Sequence, residues 1–579
     1  MKWRDLMCGE VRREQIGKKL TLSGWTDTRR DHGGLVFIDL RDRSGVCQLV
    51  INPARAPESF QLTHEIRNEF VLRAEGEVVA RAPEAVNPKL PTGEIELRVD
   101  KLEIISRCPP LPFQLDEENV DETLRLRYRW LDLRRDRMQK NIALRAQMIG
   151  VIRRVLEEAG FLDIQTPILG KPTPEGARDF LVPARLQPGR FYALPQSPQL
   201  YKQILMVAGF DRYYQIAICF RDEDLRADRL QELTQLDAEV AFPDLDELFS
   251  LMERMLQAVW RECLGVELEP PFQRLSWDEA MARYGSDKPD LRFGLDIQEA
   301  TEATRESKFG VFAKAPCVRF LQVPCAYSRG ELAKLEEFAK EWGAGGLAYI
   351  VYGEDGEPHS PIVKFLSPAE LELFSSAPGT TVLFGAGEPA AVARALGQLR
   401  LKLGEELGLI NEDAWRFLWV TDFPLLKWDA DDKRWDAVHH PFTRPAPGHE
   451  ALLESDPGAA KALAYDLVGN GVELGGGSFR IHEPELQEKL FELLRISPEE
   501  QRSKFGFLLD ALAMGAPPHG GIAFGIERML MVLGHEPNLR DTQAFPKNQA
   551  GADPMTGAPS EADPKHLREL GIKAVMPPH

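Results

Sequence analysis

Over residues 1–106 apolar side chains alternate with polar ones in short runs: KKLTLSGWTDTRR, GGLVFIDLRDRSG, VCQLVIN, FVLRAEGEVVA and GEIELRVDKLEII. A period of two, with β-branched residues inside and Gly or Asp at the breaks, predicts five strands. A helical stretch at about Pro57–Asn68 falls between the third and the fourth. That order fits a small barrel of the OB type, although a barrel with no binding role would carry the same pattern. The run CPPLPF (Cys108–Phe113) and the acidic patch after it break the period, which makes 107–123 a linker. From 124 the pattern lengthens to that of helices, beginning LRLRYRWLDLRRDRMQKNIALRAQMIGVIRRVLEEAG, and strands and helices then alternate to 292. Residues 293–410 read as an α+β unit with turns of their own (GAGG, PGTT, GAGE). Strand-like text resumes at WRFLWVTDFPLLKW and runs on through 411–579. Chemically dense segments lie on both sides of 293–410, so that unit is read as an insertion in one larger domain. The segment NQAGADPMTGAPS predicts a surface loop before a last short helix.

The length of 579 residues suits several domains, each with a core. No apolar run approaches the ~18 residues of a membrane span. The start, MKWRDLMCGEVRRE, lacks the apolar centre of a secretory signal, so a cytoplasmic protein is expected. Seven cysteines, none in a C-x-x-C pair, suit reduced thiols better than disulfides or zinc. A net charge of −19 speaks against a polyanionic partner until it is divided along the chain. Residues 1–110 hold 18 Lys/Arg against 17 Asp/Glu, and Leu124–Lys140 holds seven basic against two acidic residues. The front of the chain is therefore left able to meet RNA.

Six segments carry candidate chemistry. AICFRDEDLRADR (Ala217–Arg229) ends a strand and gathers Arg221, Glu223, Arg226 and Arg229; this is either a clamp for phosphate or carboxylate, or a surface salt-bridge ladder. VELGGGSFRIH (Val472–His482) sets Glu473 and Arg480 seven residues apart. Odd spacing puts them on opposite faces of a strand, so both reach one site only if the glycines form a bulge. Upstream, Asp466 can join Glu473 as a hard oxygen pair for Mg²⁺; a ligand-free hairpin is the alternative. PPHGGIAFGIERMLMVL (Pro517–Leu533) reads as a strand turning into a helix with Arg528 in its first turn, suited to a nucleotide. TPEGARDF and LPQSPQLYKQ add Glu175, Ser197, Gln199 and Lys202. Read as a strand, AVHHPFT points His439 and His440 to opposite faces, so that one meets a ligand and the other is structural, and zinc is disfavoured.

With FRDE, GGGSFRIH and GIER in hand, the chain resembles class II aminoacyl-tRNA synthetases, and within them the bacterial-type aspartyl-tRNA synthetases, over essentially its whole length. The three class signatures occur in order: GFLDIQTPIL with Pro167, FRDE with Arg221, and GIER with Arg528. The resemblance implies an α+β multidomain chain: an N-terminal OB-fold barrel that reads the anticodon, an antiparallel-sheet catalytic domain, and a GAD-type insertion without editing. It implies that aspartate attacks the α-phosphate of ATP, with Mg²⁺, and that the aspartyl group then passes to the 3′ end of tRNA(Asp). It also implies a homodimer with Pro167 at the interface, and neither a membrane nor DNA as partner.

By the same resemblance, Arg221 touches the α-phosphate and the substrate carboxylate, Glu223 the adenine, and Arg528 the adenine and γ-phosphate. Asp222, Gln231, Glu473 and the run Gly525, Ile526, Glu527 complete the ATP set. Lys202 and Arg480 clamp the substrate's side chain, Glu175, Gln199 and Asp237 receive its amino end, and His439 lies nearby. Asp466 and Glu473 hold the metal. Arg30, His32, Phe37, Gln48 and Glu94 face the anticodon, although Phe37 in GGLVFIDL equally suits a core.

Three departures stand out. After RADR the family has Gln-Pro-Glu-Phe where this chain has Leu230, Gln231, Glu232 and Leu233, which leaves Gln231 as a displaced substitute on ATP. Glu527 stands where aspartate is common. His32 stands where discriminating relatives carry leucine, which resembles the branch that also charges tRNA(Asn). The rival readings are a strictly tRNA(Asp)-specific ligase, an asparagine- or lysine-activating relative, and an RNA-binding protein that has lost activation. ATP–pyrophosphate exchange and charging of both tRNAs separate them.

Overall fold

The structure is a computed structural model that describes residues 2–172, 176–226, 229–573 and 575. It divides into two units, one of residues up to Lys140 together with Pro554–Thr556, the other of the remainder.

In the first unit β1 (Lys19–His32), β2 (Leu35–Asp42), β3 (Gly45–Ile51), β4 (Val71–Ala80) and β5 (Ile95–Ser106) close into a barrel in the order β1-β2-β3-β5-β4. This is the OB-type barrel the periodicity predicts, with a helix, α1 (Pro57–Leu62), between β3 and β4. β2 shows the cause: Val36, Ile38 and Leu40 are buried among Leu22, Leu49, Leu72, Leu97 and Val99, while Leu35, Phe37 and Asp39 face outward. Closure leaves no unpaired edge. The β1–β2 turn needs two residues at positive φ, supplied by Gly33 (61°) and Gly34 (87°).

The basic run after the linker differs from the open RNA-facing surface that its charge count suggests. Asp132 is fully buried and gathers Arg125, Arg129 and Arg135, and Arg134 pairs with Glu69 at 2.9 Å over the Trp25 ring. Counting charges along a sequence cannot show that they cancel one another within the fold.

The second unit is built on an eight-stranded sheet. Its order is Gln273–Ser276, Phe417–Thr421, Ala464–Gly469, Val472–Phe479, His519–Gly525, Glu232–Ala241, Arg212–Phe220, Leu162–Asp163. All neighbours are antiparallel except the outermost pair at each end. Helices Asp136–Glu158, Leu245–Leu264 and Ile526–Leu533 cover one face, with Met148, Ile152, Met252, Trp260 and Met529 in the core. Phe249 stacks on Trp419 at 3.8 Å, and the indole N–H donates to the buried Glu253 at 2.9 Å. A further helix, Pro389–Glu406, belongs to a second sheet of five strands between residues 298 and 387. That sheet lies in sequence between two strands that are neighbours in the first, Gln273–Ser276 and Phe417–Thr421. Arg400 ties it in place: 1% exposed, it donates to the carbonyls of Asp290, Phe293, Gly294 and Leu295, with its guanidinium 4.1 Å over Phe293. Turns follow at 548–559, and Pro564–Leu570 is the last helix. Among the described residues no helix is long and apolar enough to cross a membrane.

Candidate active site

A cavity of about 610 Å³ opens on the uncovered face of the eight-stranded sheet. Its walls come from the strands Glu232–Ala241, Val472–Phe479 and His519–Gly525, the helices Gln199–Val207 and Ile526–Leu533, and the loops carrying Arg221 and His439. Gln199, Lys202, Arg221, Glu223, Asp237, His439, Asp466, Glu473, Arg480, Gly525, Glu527 and Arg528 all line it. They come from segments up to about 330 residues apart and meet because the sheet interleaves them.

The conditional drawn from Glu473 and Arg480 is met. Leu467 pairs with Gly475 but Val468 with Glu473, so Leu474 is an extra residue and the strand bulges between the two side chains. Gly476 is needed for another reason: a Cβ there would lie 2.4 Å from Asp466 Oδ1 and 3.9 Å from Glu473 Oε1. The two carboxylates thus flank one bare backbone position. Burial, then Glu473 and Asp287, push Asp466 well above the usual carboxylate range.

At the closed end four charges interlock. Lys202 Nζ reaches Asp237 at 2.5 Å and Glu239 at 3.4 Å, and Arg480 grips Glu239 through Nε at 2.9 Å and Nη2 at 3.1 Å. Arg480 Nη1 donates to Ser478 Oγ and meets His440 Nε2, both at 2.6 Å. All four charged groups are almost completely buried. Burial pushes Asp237 up; it acts on Glu239 too, but Arg480 and Lys202 outweigh it and hold that carboxyl below its usual range. Among the described residues two buried atoms lining this end have no hydrogen-bond partner, Asp237 Oδ2 and Gln199 Nε2. An acceptor and a donor left bare in one cavity suit a ligand carrying both an ammonium and a carboxylate.

Both histidines reach the cavity, which corrects the division of roles drawn from a strand. The Arg434–Ala437 strand ends before them, so alternation does not apply. His439 sits edge-on to Phe423 at 4.8 Å; burial and Arg480 lower it to about 4, and His440 is lowered further by the same causes, so neutral rings face Arg480.

Towards the open end Arg528 donates to the Glu473 carbonyl at 3.2 Å, Glu223 pairs with Arg229 at 3.1 Å, and the Arg221 N–H is held by the Gln231 carbonyl at 2.8 Å. Three expected residues are not in the lining. Asp222 faces Arg178 at 3.8 Å, Ile526 is in the core, and Gln231 lies against Gly551 while Leu230 takes the cavity side. Glu175 lies outside the described residues. Glu239 escaped the sequence reading, although LDAEV signals it: Asp237 and Glu239 are two apart in a strand and share a face.

On the barrel, Arg30 and Phe37 are cross-strand partners on the outer face, so Phe37 is not core. Phe37 meets His32 edge-on at 6.1 Å. Arg30 pairs with Asp39 at 2.7 Å, and Gln48 donates to Glu96 at 3.0 Å. Glu94, just before β5, faces Arg13 instead, and Glu96 stands where the polar cluster needs a carboxylate. Among the described residues no group of three or more His, Cys, Asp or Glu is placed to hold a metal; Asp466 and Glu473 are a pair.

Comparison with known proteins adds the following. Residues 121–549 match the family model for tRNA synthetases class II (D, K and N), and 20–105 that of the OB-fold nucleic acid binding domain. The chain is 52% identical over 578 residues to the aspartate–tRNA(Asp/Asn) ligase of Moorella thermoacetica, covering 98% of this chain and 96% of the relative. It is 50% identical over 585 residues to the enzyme of the same name from Syntrophotalea carbinolica, covering 99% and 98%. The asparaginyl-tRNA synthetase of Pyrococcus horikoshii complexed with asparaginyl-adenylate shares the fold, with a TM-score of 0.62 at 21% identity over 94% of this chain and 98% of the other.

Proposed function

The chain belongs to the class II tRNA synthetases (D, K and N), and from that membership and the charges of its cavity we propose that it ligates aspartate to tRNA(Asp) and tRNA(Asn). The observation that carries the choice of aspartate is the closed end. Lys202 and Arg480 are fixed there by Asp237 and Glu239, while Asp237 Oδ2 and Gln199 Nε2 await partners. An incoming ammonium group satisfies Asp237, and a side-chain carboxylate meets two cations. Asparagine would turn an amide N–H₂ towards those donors and leave buried groups unpaired, which is costly.

The nucleophile is ionised at neutral pH, so the site needs no strong base. Its work is positioning and charge neutralisation. The α-carboxylate of aspartate attacks the α-phosphorus of ATP and pyrophosphate leaves; a terminal ribose hydroxyl of the tRNA then attacks the activated carbonyl and AMP leaves. Arg221 and Arg528 line the open end where the phosphates lie on this reading. Asp466 and Glu473, two hard oxygen donors flanking Gly476, fit Mg²⁺, which takes one or two carboxylates and keeps waters and phosphate oxygens as its other ligands. Bound there, the ion would offset the negative charge of the phosphates.

Exposed Leu162, Ile168, Leu169 and Ile218 beside Pro167 support the homodimer, and a role in tRNA charging supports a cytoplasmic location. ATP–pyrophosphate exchange, run on protein whose mass in solution is that of two chains, tests the reading. Aspartate is expected to support exchange at least about 10³-fold better than asparagine; equal rates would refute the specificity.

On the barrel the half-buried ring of Phe37 on the outer face, beside Arg30, Gln48 and Glu96, supports stacking and edge reading of an anticodon. Both purified tRNAs are expected to be charged with aspartate, and His32→Leu to reduce charging of tRNA(Asn) by roughly tenfold while sparing tRNA(Asp), the scale of one base contact. A chain that leaves tRNA(Asn) uncharged would show the narrower specificity.

A further inference from the structure

The loop between the strands Arg212–Phe220 and Glu232–Ala241 brings Arg221, Glu223 and Arg229 to the cavity, and its return arm is where this sequence departs from its family. By the resemblance set out above, Leu230, Gln231, Glu232 and Leu233 stand where such enzymes have Gln-Pro-Glu-Phe, so the cavity side carries Leu230 and the next position has no stiff residue. The structure holds that arm from behind. Gln543 Nε2 donates one hydrogen to the Glu232 carbonyl at 3.0 Å and the other to Glu527 Oε1 at 3.1 Å. Glu527 Oε2 accepts the Thr234 N–H at 3.0 Å, and its Oε1 also meets Arg145 at 2.9 Å. Glu527 is in the first turn of the helix that presents Arg528. One amide therefore spans two elements: the arm that ends the Arg221 loop and the helix that carries Arg528.

We propose that Gln543 is a positioning residue for the nucleotide, fixing the Arg221 loop against the Arg528 helix in place of the missing Gln-Pro. The proposal rests on the reading of the open end as the ATP site. A half-buried two-hydrogen donor between a carbonyl and a carboxylate has one arrangement that satisfies both, so it sets a distance rather than merely filling space. Without it the arm keeps its strand pairing to Phe220 and Cys219, the Arg221 N–H on the Gln231 carbonyl and the half-exposed, correspondingly weak Lys547–Glu232 pair at 2.9 Å. Its tie to the Arg528 helix, however, falls to the Thr234 N–H on Glu527. Nucleotide binding would then have to order the loop, and this cost falls on ATP and not on aspartate, whose contacts lie at the closed end.

The test is steady-state ATP–pyrophosphate exchange by the full chain carrying Gln543→Leu, with Lys547→Ala as the comparison and thermal melts of each. KM for ATP is expected to rise roughly five- to tenfold in Gln543→Leu, the scale of one or two hydrogen bonds. KM for aspartate and Tm should stay near the unmodified values, and Lys547→Ala should change little. An unmoved KM for ATP, or a rise shared equally by aspartate and accompanied by a fall in Tm, overturns the proposal. If the unmodified chain shows no exchange, the nucleotide reading itself fails and takes the proposal with it.

Discussion

Arg480→Met is expected to lower aspartate-dependent pyrophosphate exchange by about 10³-fold or more while the substrate's ammonium contacts remain. Arg480 is the fixed cation of the closed end, and losing a buried charge-assisted pair costs about 3–5 kcal/mol, or two to four orders of magnitude. The same substitution strands Glu239, a carboxylate with no exposure, so the folded state should weaken by a similar amount. Adding Glu239→Gln separates the two effects: the double variant should regain most of the lost Tm and none of the activity. Recovery of exchange would mean that the cation is misassigned.

The pH dependence of stability should change sign as well. In the unmodified chain Glu239 is held below its usual range, burial notwithstanding, by Arg480 and Lys202. Its contribution is therefore present above the unfolded carboxylate range and lost as pH falls through the folded value. In Arg480→Met burial gains on the remaining Lys202, and the variant's Tm should rise relative to that of the unmodified chain as pH is lowered towards and through the carboxylate range.

Asp466→Asn should have the second largest effect. Burial, Glu473 and Asp287 hold the Asp466 carboxyl well above its ordinary range. A raised carboxyl stabilises the fold below the unfolded carboxylate range, and that contribution is lost as pH rises through the folded value. A cation that neutralises the pair would restore it. Magnesium is accordingly expected to raise Tm more at pH 8 than at pH 6. Asp466→Asn should melt higher than the unmodified chain in chelator, respond little to magnesium, and lose about 10²–10³-fold in exchange. Thermal melts with chelator or magnesium at both pH values check this; an unchanged magnesium response in the variant would sink the assignment.

The barrel was legible because each strand turns one apolar face inward at period two, and closure makes that face a core. Phe37 was ambiguous in composition but not in phase, since its neighbours Val36 and Ile38 are both buried. At the active site the motifs named the residues, and the spacing of Glu473 and Arg480 even required the bulge that is found. What stayed hidden was pairing. No sequence pattern shows that Arg129 and Arg135 are neutralised by Asp132, or that Arg480 arrives already gripped by Glu239. The histidines were misjudged because alternation was applied two and three residues beyond the strand's end, and Glu94 because the strand begins just after it.

The five-stranded sheet that Arg400 fastens also bears on how the molecule reaches its folded state. Gln273–Ser276 and Phe417–Thr421 pair in parallel across roughly 140 residues, a closure whose entropic cost grows with the logarithm of the loop. When the intervening sheet and its helix Pro389–Glu406 have already formed, the effective loop shrinks to roughly 30 residues, and closure costs about 1.4 kcal/mol less. The segment with the least legible chemistry thus shortens a long search in the chain. The outer strand Gln273–Ser276 joins at lower cost once that segment has folded, so a substitution that weakens the segment would first appear as slow or incomplete assembly of the sheet edge beside the cavity.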